Sequence, residues 1–359
     1  MIKKIDWYII RKFLGTFVFI IALLMSITIV IDLAEKIDNF LDNSITFWEV
    51  VSGYYVYFIP YMAALLGPFF VLVAVIFFTS QLAGRSEIIA ILNSGTSFYR
   101  FLYPYFIAAS FLVVVFYIGN NYIVPYSNDA RIRFEKKYIN KGVGNISYKF
   151  HRRVAPGTIV FIDNYKPSKA SGYNFSIDHF EKGKLVYKLR SERVEWLPRE
   201  KKWRVFNYYT RQLNPKGDII KHGTILDTTF AFVPGDFDFN DYMKDAMTTP
   251  ELNEHIDYMY KSGQTYIEFF EVEKYRRTSS AFCIYIMTLI GVSVASRKER
   301  GGMGWNVVLG IGLSAAYEII MKFSITFSTN SSLPPILGVW IPNIIFGILA
   351  IYLLRRAQR

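Results

Sequence analysis

Glu318 and Lys322 stand one helical turn apart in an otherwise uncharged stretch, residues 304–327. Charge at membrane depth is costly and normally faces a bundle interior or an aqueous cavity. A Glu four residues before a Lys puts both groups on one helix face. Two readings follow. Lys322 can line a cavity and meet an anionic headgroup, or the two groups can satisfy each other near a helix end, where a lysine snorkels outward. As a general acid or base Glu318 would act alone, because no second carboxylate, histidine pair or nucleophile motif shares its depth.

Three more clusters carry charge in suggestive places. Lys36 lies among Asp32, Glu35 and Asp38 and is either a phosphate contact or part of a solvated helix end. Arg131 and Arg133, with Lys136, Lys137, Lys141, Lys149, Arg152 and Arg153, form a basic stem. Such a stem attracts phosphorylated lipid or simply presents a solvated face. In residues 84–97, Ser86 can cap a short helix, Glu87 occupies its first turn after Arg85, the apolar Ile88, Ile89, Ile91 and Leu92 follow, and Gly95 can end it. An acidic residue beside an apolar ridge suits a docking element for a nucleotide-hydrolysing partner, and equally suits an interfacial connector.

Metal and nucleotide chemistry find no matching pattern. His151, His179, His222, His255 and the single Cys283 do not share metal-ligand spacing. No glycine-rich loop ending in Lys and Ser/Thr is present to cradle a triphosphate. We therefore expect no catalytic residue, no metal and no cofactor on this chain, with any ATP used by a partner subunit.

The elements that position these residues are dominated by lipid. Of 359 residues, 52% are hydrophobic and 19% charged, and the net charge is +12. A basic excess is compatible with nucleic acid, but here most basic residues outside the central block flank apolar runs, so they read as topology determinants and no nucleic-acid partner is expected. Apolar stretches at 13–31, 50–84, 101–125, 278–296, 304–327 and 335–354 predict six spans. Pro60 and Pro68 mark kinks or a helix start in the second. The first is too long for a cleaved leader and lacks a small-residue cleavage signal, so it reads as a retained helix. Basic flanks at the N-terminus, 85–100, 297–300 and 355–359 put both termini in the cytoplasm.

The block between the third and fourth spans then lies outside the cytoplasm. It alternates apolar and polar residues, with Leu185, Tyr187 and Leu189, then Val194 and Trp196, then Trp203 and Val205, and turn signals at 181–184 and 214–218. This predicts an antiparallel sandwich or half-open barrel, either grooved for an amphipathic ligand or solid-cored. Thr248, Thr249, Pro250 and Glu251 announce a helix, and an amphipathic stretch at 266–277 reads as interfacial. The fold class is an α-helical membrane protein with six transmembrane helices plus an all-β, jellyroll-like periplasmic domain inserted between helices 3 and 4. The expected organisation is 1–128 for spans 1–3 with a coupling helix at about 86–95, 129–247 for the β domain, 248–277 for a helical connector and 278–359 for spans 4–6.

Short motifs in order along this frame resemble the LptF/LptG family of lipopolysaccharide-export permeases. They are Arg85-Ser86-Glu87-Ile88-Ile89-Ala90 with Ser94-Gly95, Val124-Pro125-Tyr126-Ser127-Asn128, Arg276-Arg277 with Gly291, Arg300-Gly301-Gly302-Met303-Gly304, and Leu333-Pro334-Pro335 with Trp340-Ile341-Pro342-Asn343. The short connector resembles LptG more than LptF. The resemblance implies an inner-membrane subunit that pairs with a homologous permease and sits on a cytoplasmic ATPase dimer. It would pass lipopolysaccharide to a bitopic periplasmic-domain protein and a periplasmic bridge protein. It further implies that Arg85, Glu87, Ile88, Ile91 and Leu92 couple to the ATPase, and that lipid enters between the first and fifth helices near Lys36 and Lys322. An intramembrane lipid-modifying enzyme centred on Glu318 and a membrane scaffold or sensor are the competing classes. No cytoplasmic output domain supports the latter.

Overall fold

The computed structural model describes residues 3–42, 45–139, 147–155, 157–166, 169–214, 217–230, 232–234, 243–262, 267–296, 302–330 and 333–357. Lys141 and the basic loop at 297–300 lie outside the described residues, as do the side chains of Lys149 and Arg152. The chain divides into two compact units, one of Met1–Phe134, Asp245–Thr249 and Glu268–Arg359, the other of Glu135–Lys244 and Pro250–Ile267.

The first unit is helical. Among the described residues, six helices are long and apolar enough to cross a membrane, and each contains most or all of a stretch expected to span. Helix α1 (Lys4–Asp42) has 39 residues. At about 1.5 Å per residue it outruns the ~30 Å hydrocarbon core, so charged turns at both ends continue the helix. The second stretch is segmented. Helix α2 (Phe47–Val50), a π-helical turn (Val51–Tyr55) and α3 (Val56–Leu65), which contains Pro60, precede α4 (Gly67–Gly84). Leu66 leaves helical geometry just before Pro68, which falls in the first turn of α4, where its missing N–H costs nothing.

After α5 (Glu87–Asn93), helix α6 (Phe98–Ile118) runs through a π-helical turn (Gly119–Ile123) into α7 (Val124–Tyr138). The wider turn lets Pro125 sit in a continuous rod without clashing with the preceding carbonyl.

Past the β unit and two helices, α8 (Met243–Ala246) and α9 (Thr249–Ser262), come α10 (Ile267–Ala295), α11 (Gly302–Asn330) and α12 (Pro335–Ala357). The amphipathic stretch expected to lead straight into the fourth span is the beginning of α10, since nothing between 267 and 290 breaks a helix.

Helix α4 is apolar on every face, which suits a fully enclosed position. Its spanning window is 78% buried, against 17% for α1 and 28% for α11. Close approach to α4 depends on small residues opposite it. A Cβ at Gly291 would lie 2.7 Å from Val75 Cγ1, and one at Gly310 would lie 2.4 Å from Ile76 Cδ1. Polar side chains bridge the helices. Asn306 donates to Ser80 Oγ at 3.1 Å, Tyr317 to Asn343 Oδ1 at 3.0 Å, and Asn343 to Ser279 Oγ at 2.8 Å.

The second unit holds one six-stranded antiparallel sheet: β1 (Ser147–Ala155), β2 (Thr158–Lys166), β3 (Ser171–Glu181), β4 (Lys184–Leu197), β5 (Lys202–Gln212) and β6 (Ile219–Thr228). Each strand lies beside its sequence neighbour. Among the described residues this is a single open antiparallel sheet. The β3–β4 hairpin turns on Lys182 and Gly183, both at positive φ (52° and 80°), the backbone of a two-residue type I′ turn. The inner face carries Val160, Ile162, Phe175, Leu189, Val194, Trp203 and Val205, closed by Phe232, whose carbonyl accepts from Trp203 Nε1 at 3.0 Å.

The change of parity between Leu189 and Val194 has a cause that runs across the sheet. Asn174 and Asn207 adopt φ of 49° and 45°, a conformation asparagine tolerates better than most residues. Asn174 donates to Asp163 Oδ2 at 3.2 Å and Asn207 to Glu192 Oε2 at 2.7 Å. Burial slips by one residue at this line in β2, β3, β4 and β5 alike. Such irregularities bend and twist the strands that carry them.

Candidate functional site

On the side of the bundle where α1 begins, α5 forms the turn between α4 and α6. Ser86 does not cap it as expected. Its backbone is left-handed (φ 58°, ψ 17°) and its side chain makes no capping bond, because the chain must reverse sharply after Arg85. Gly95, at φ 83°, ends the helix as the sequence suggests, its N–H reaching Leu92 O at 3.1 Å. The apolar ridge divides. Ile88 is buried, and Ile91 and Leu92 are half-buried against the bundle core, so this side of the ridge seats the helix. The outward face belongs to Arg85, Ile89 and Ala90. Glu87 is held at its edge, 3.9 Å from Arg85 and accepting from the Tyr8 hydroxyl at 3.1 Å.

A clamp fixes the neighbouring helix starts. Arg100 on α6 donates to both oxygens of the buried Asp6 on α1, at 2.8 and 2.5 Å, in the two-pronged geometry that suits guanidinium and carboxylate. Lys3 N–H completes the carboxylate at 2.7 Å.

Toward the other end of α1, Lys36 Nζ lies 2.7 Å from Asp32 Oδ1 and 4.6 Å above the Tyr54 ring, and donates to the Tyr54 hydroxyl. Its charge is therefore already met within the chain. Arg131 is buried as well. It donates to Asn128 Oδ1 at 3.1 and 2.8 Å and stacks 4.5 Å from the Tyr61 ring, which removes it from the solvated stem. Arg133 is exposed and paired with Asp129.

On α11, Glu318 is half-buried and Lys322 exposed. No ion pair joins them among the described residues. The mutually satisfied pair is thus not formed, and Lys322 offers its charge on a little-covered helix.

The densest charge cluster in this unit escaped sequence reasoning. Glu273 and Arg277 on α10 are buried, at 5% and 3% exposure. Arg277 Nε donates to Glu273 Oε1 at 3.0 Å and Arg276 Nε to Oε2 at 2.8 Å, with Asp245 3.7 Å from Arg276. Arg277 also reaches Met247 O at 2.8 Å and Thr249 Oγ1 at 3.0 Å, and Thr249 donates to Asn121. Beside them a pocket of about 30 Å³, lined by Tyr61, Asn120 and Ser280 among others, has room for water. The signal was the Glu-x-x-Arg-Arg spacing, which sets both cations on the carboxylate's face of a helix. Chemically the cluster is a lock, since every charge has an opposite partner.

Residues 7–356 match the sequence profile of a family described as "Lipopolysaccharide export system permease LptF/LptG". The chain is also similar to "Lipopolysaccharide export system permease protein LptG" of Haemophilus influenzae (strain ATCC 51907 / DSM 11121 / KW20 / Rd). The two are 22% identical over 382 aligned positions that cover 100% of both chains.

Proposed function

Because the chain belongs to the LptF/LptG family of lipopolysaccharide export permeases, we propose that it extracts lipopolysaccharide from the outer leaflet of the inner membrane and passes it toward a periplasmic bridge, driven by a separate ATPase. The observation that carries this reading is the continuity of the match, which takes in the six spans and the inserted sheet together. Both termini face the cytoplasm in this arrangement and the sheet unit faces the periplasm, as the basic flanks require.

Helices α1 and α11 are the surfaces toward the homologous permease and the lipid. Their spanning windows are the least buried of the six, and a helix apolar in lipid and uncovered within its own chain is free to pack against another. Lys322 is the preferred contact for a lipid phosphate, being exposed and unpaired with Glu318. Lys36 and Arg131 are weaker choices because each is already engaged. The ATPase meets α5 through Arg85, Glu87 and Ile89, while Ile88, Ile91 and Leu92 transmit the movement to the bundle they are packed in. Among the described residues β1 and β6 each pair on one side only, and an open edge is the form to which a bitopic or bridging β protein adds a strand.

The test is to isolate the tagged chain from native membranes in mild detergent and identify its companions by mass spectrometry. An ATP-binding subunit, a second six-helix permease and lipopolysaccharide should come with it. Recovery of the chain alone, under conditions that preserve other membrane complexes, would remove the exporter reading.

A further inference from the structure

An open groove of about 530 Å³ runs along the first half of α1, where it meets α4. The volume falls in the roughly 300–1,000 Å³ range of sites that take a small molecule. Its lining is graded along the helix. Tyr8, Arg11 and Lys12 line the end nearest the amino-terminus, and Gly15, Thr16, Phe19 and Phe77 line the end farther along α1. The positions 8, 11, 12, 15 and 19 recur at helical spacing, so one face of α1 supplies both the cationic end and the apolar end. From Arg11 to Phe19 the helix rises about 12 Å, the step from headgroup level into the acyl region.

Arg11 and Lys12 are exposed, and neither takes part in an ion pair among the described residues. In this they differ from Lys36, Arg100, Arg276 and Arg277, whose charges are balanced inside the chain. A Cβ at Gly15 would meet no atom within 4 Å, so the groove is open beside it.

We infer that this groove binds an anionic glycerophospholipid from the leaflet at the amino-terminal end of α1. The phosphate meets Arg11 and Lys12, and the acyl chain lies along Gly15, Phe19 and Phe77. Charge complementarity selects this occupant. Two free cations at headgroup depth call for an anion, which a lipid surface supplies all along that leaflet. The assignment needs only that α1 crosses the bilayer, and it stands whether or not the chain moves lipopolysaccharide. It also places the lipid beside Tyr8, the residue that holds Glu87 at the edge of α5.

Native mass spectrometry of the full chain in mild detergent, titrated with phosphatidylglycerol or phosphatidylcholine, tests the site. Phosphatidylglycerol should bind in preference. Arg11→Gln and Lys12→Gln should each weaken it about fivefold, the equivalent of about 1 kcal/mol per cation at a membrane surface. Arg11→Lys should restore binding. Gly15→Phe fills the groove with both charges intact and should abolish binding, so it decides the matter even if a charge variant fails to insert. Equal binding of the two lipids, or retention by Gly15→Phe, overturns the inference. A photo-crosslinker at Phe19 that captures a protein helix in place of lipid does so as well.

Discussion

Glu273 anchors a buried charge cluster in the membrane unit, because two guanidinium groups converge on its two oxygens. Removing one member of such a cluster leaves the others charged and unpaired, at a typical cost of about 3–5 kcal/mol. Glu273→Gln should therefore lower the unfolding temperature of the detergent-purified chain markedly, and Glu273→Asp should lower it less. A temperature unchanged in Glu273→Gln would mean that the arginines find other acceptors. At the surface of the sheet unit the stakes are smaller and depend on pH. Hydrogen bonds from Arg204, at 2.8 Å to each oxygen, hold the Asp227 carboxyl below the usual carboxylate range. A depressed folded-state pKa stabilises above the unfolded value, near 4, and that contribution fades as pH falls through the folded value. Protection against hydrogen exchange at the β5–β6 edge, taken relative to the intrinsic rate at each pH, should fall in that acidic window. In Asp227→Asn that fall should be absent.

At the level of elements, α5 separates two roles that its sequence presents together. Of the residues read as a docking ridge, Ile88 is buried in the core of its own bundle, and Ile91 and Leu92 are half-buried against it. Periodicity identifies an apolar face but not what covers it. Glu87→Lys should reduce recovery of the ATP-binding subunit while leaving the unfolding temperature of the membrane unit near its original value. Ile88→Ala should do the reverse, costing about 2–5 kcal/mol of stability as a cavity opens. If both changes weaken association equally without affecting stability, the packing role of Ile88 is wrong. In the sheet, the parity slip after Leu189 was visible in sequence. Its alignment with Asn174 and Asn207 was not, since these residues lie on β3 and β5, on either side of the same stretch of β4.

For the whole molecule, the uneven burial of the six spans sets the expectation. A bundle centred on α4 leaves α1 and α11 to face lipid or another subunit. A photo-crosslinker at Lys322, on the exposed face of α11, should capture lipopolysaccharide in native membranes. The same probe at Val71, buried within α4, should capture none. A negative result at Lys322, with capture elsewhere on the chain, would make that face a packing surface between permeases.

Much of this architecture was legible from the residues alone. Long uncharged runs must sit in lipid, alternation with turn residues must form strands, and a Pro after a break must open a helix. Those are local constraints, set by hydrogen bonding and side-chain period within a few residues. What only the tertiary structure decided was the pairing of charges. Lys36 is paired with Asp32 and hydrogen-bonded to Tyr54, Arg131 turns inward to Asn128 and Tyr61, and Arg276 and Arg277 converge on Glu273, while Glu318 and Lys322 make no direct ion pair among the described residues. Spacing offers partners within a helix, as for Lys36 with Asp32, but whether a charge takes one or turns to another helix, as Arg100 does to Asp6, is fixed by packing across the fold.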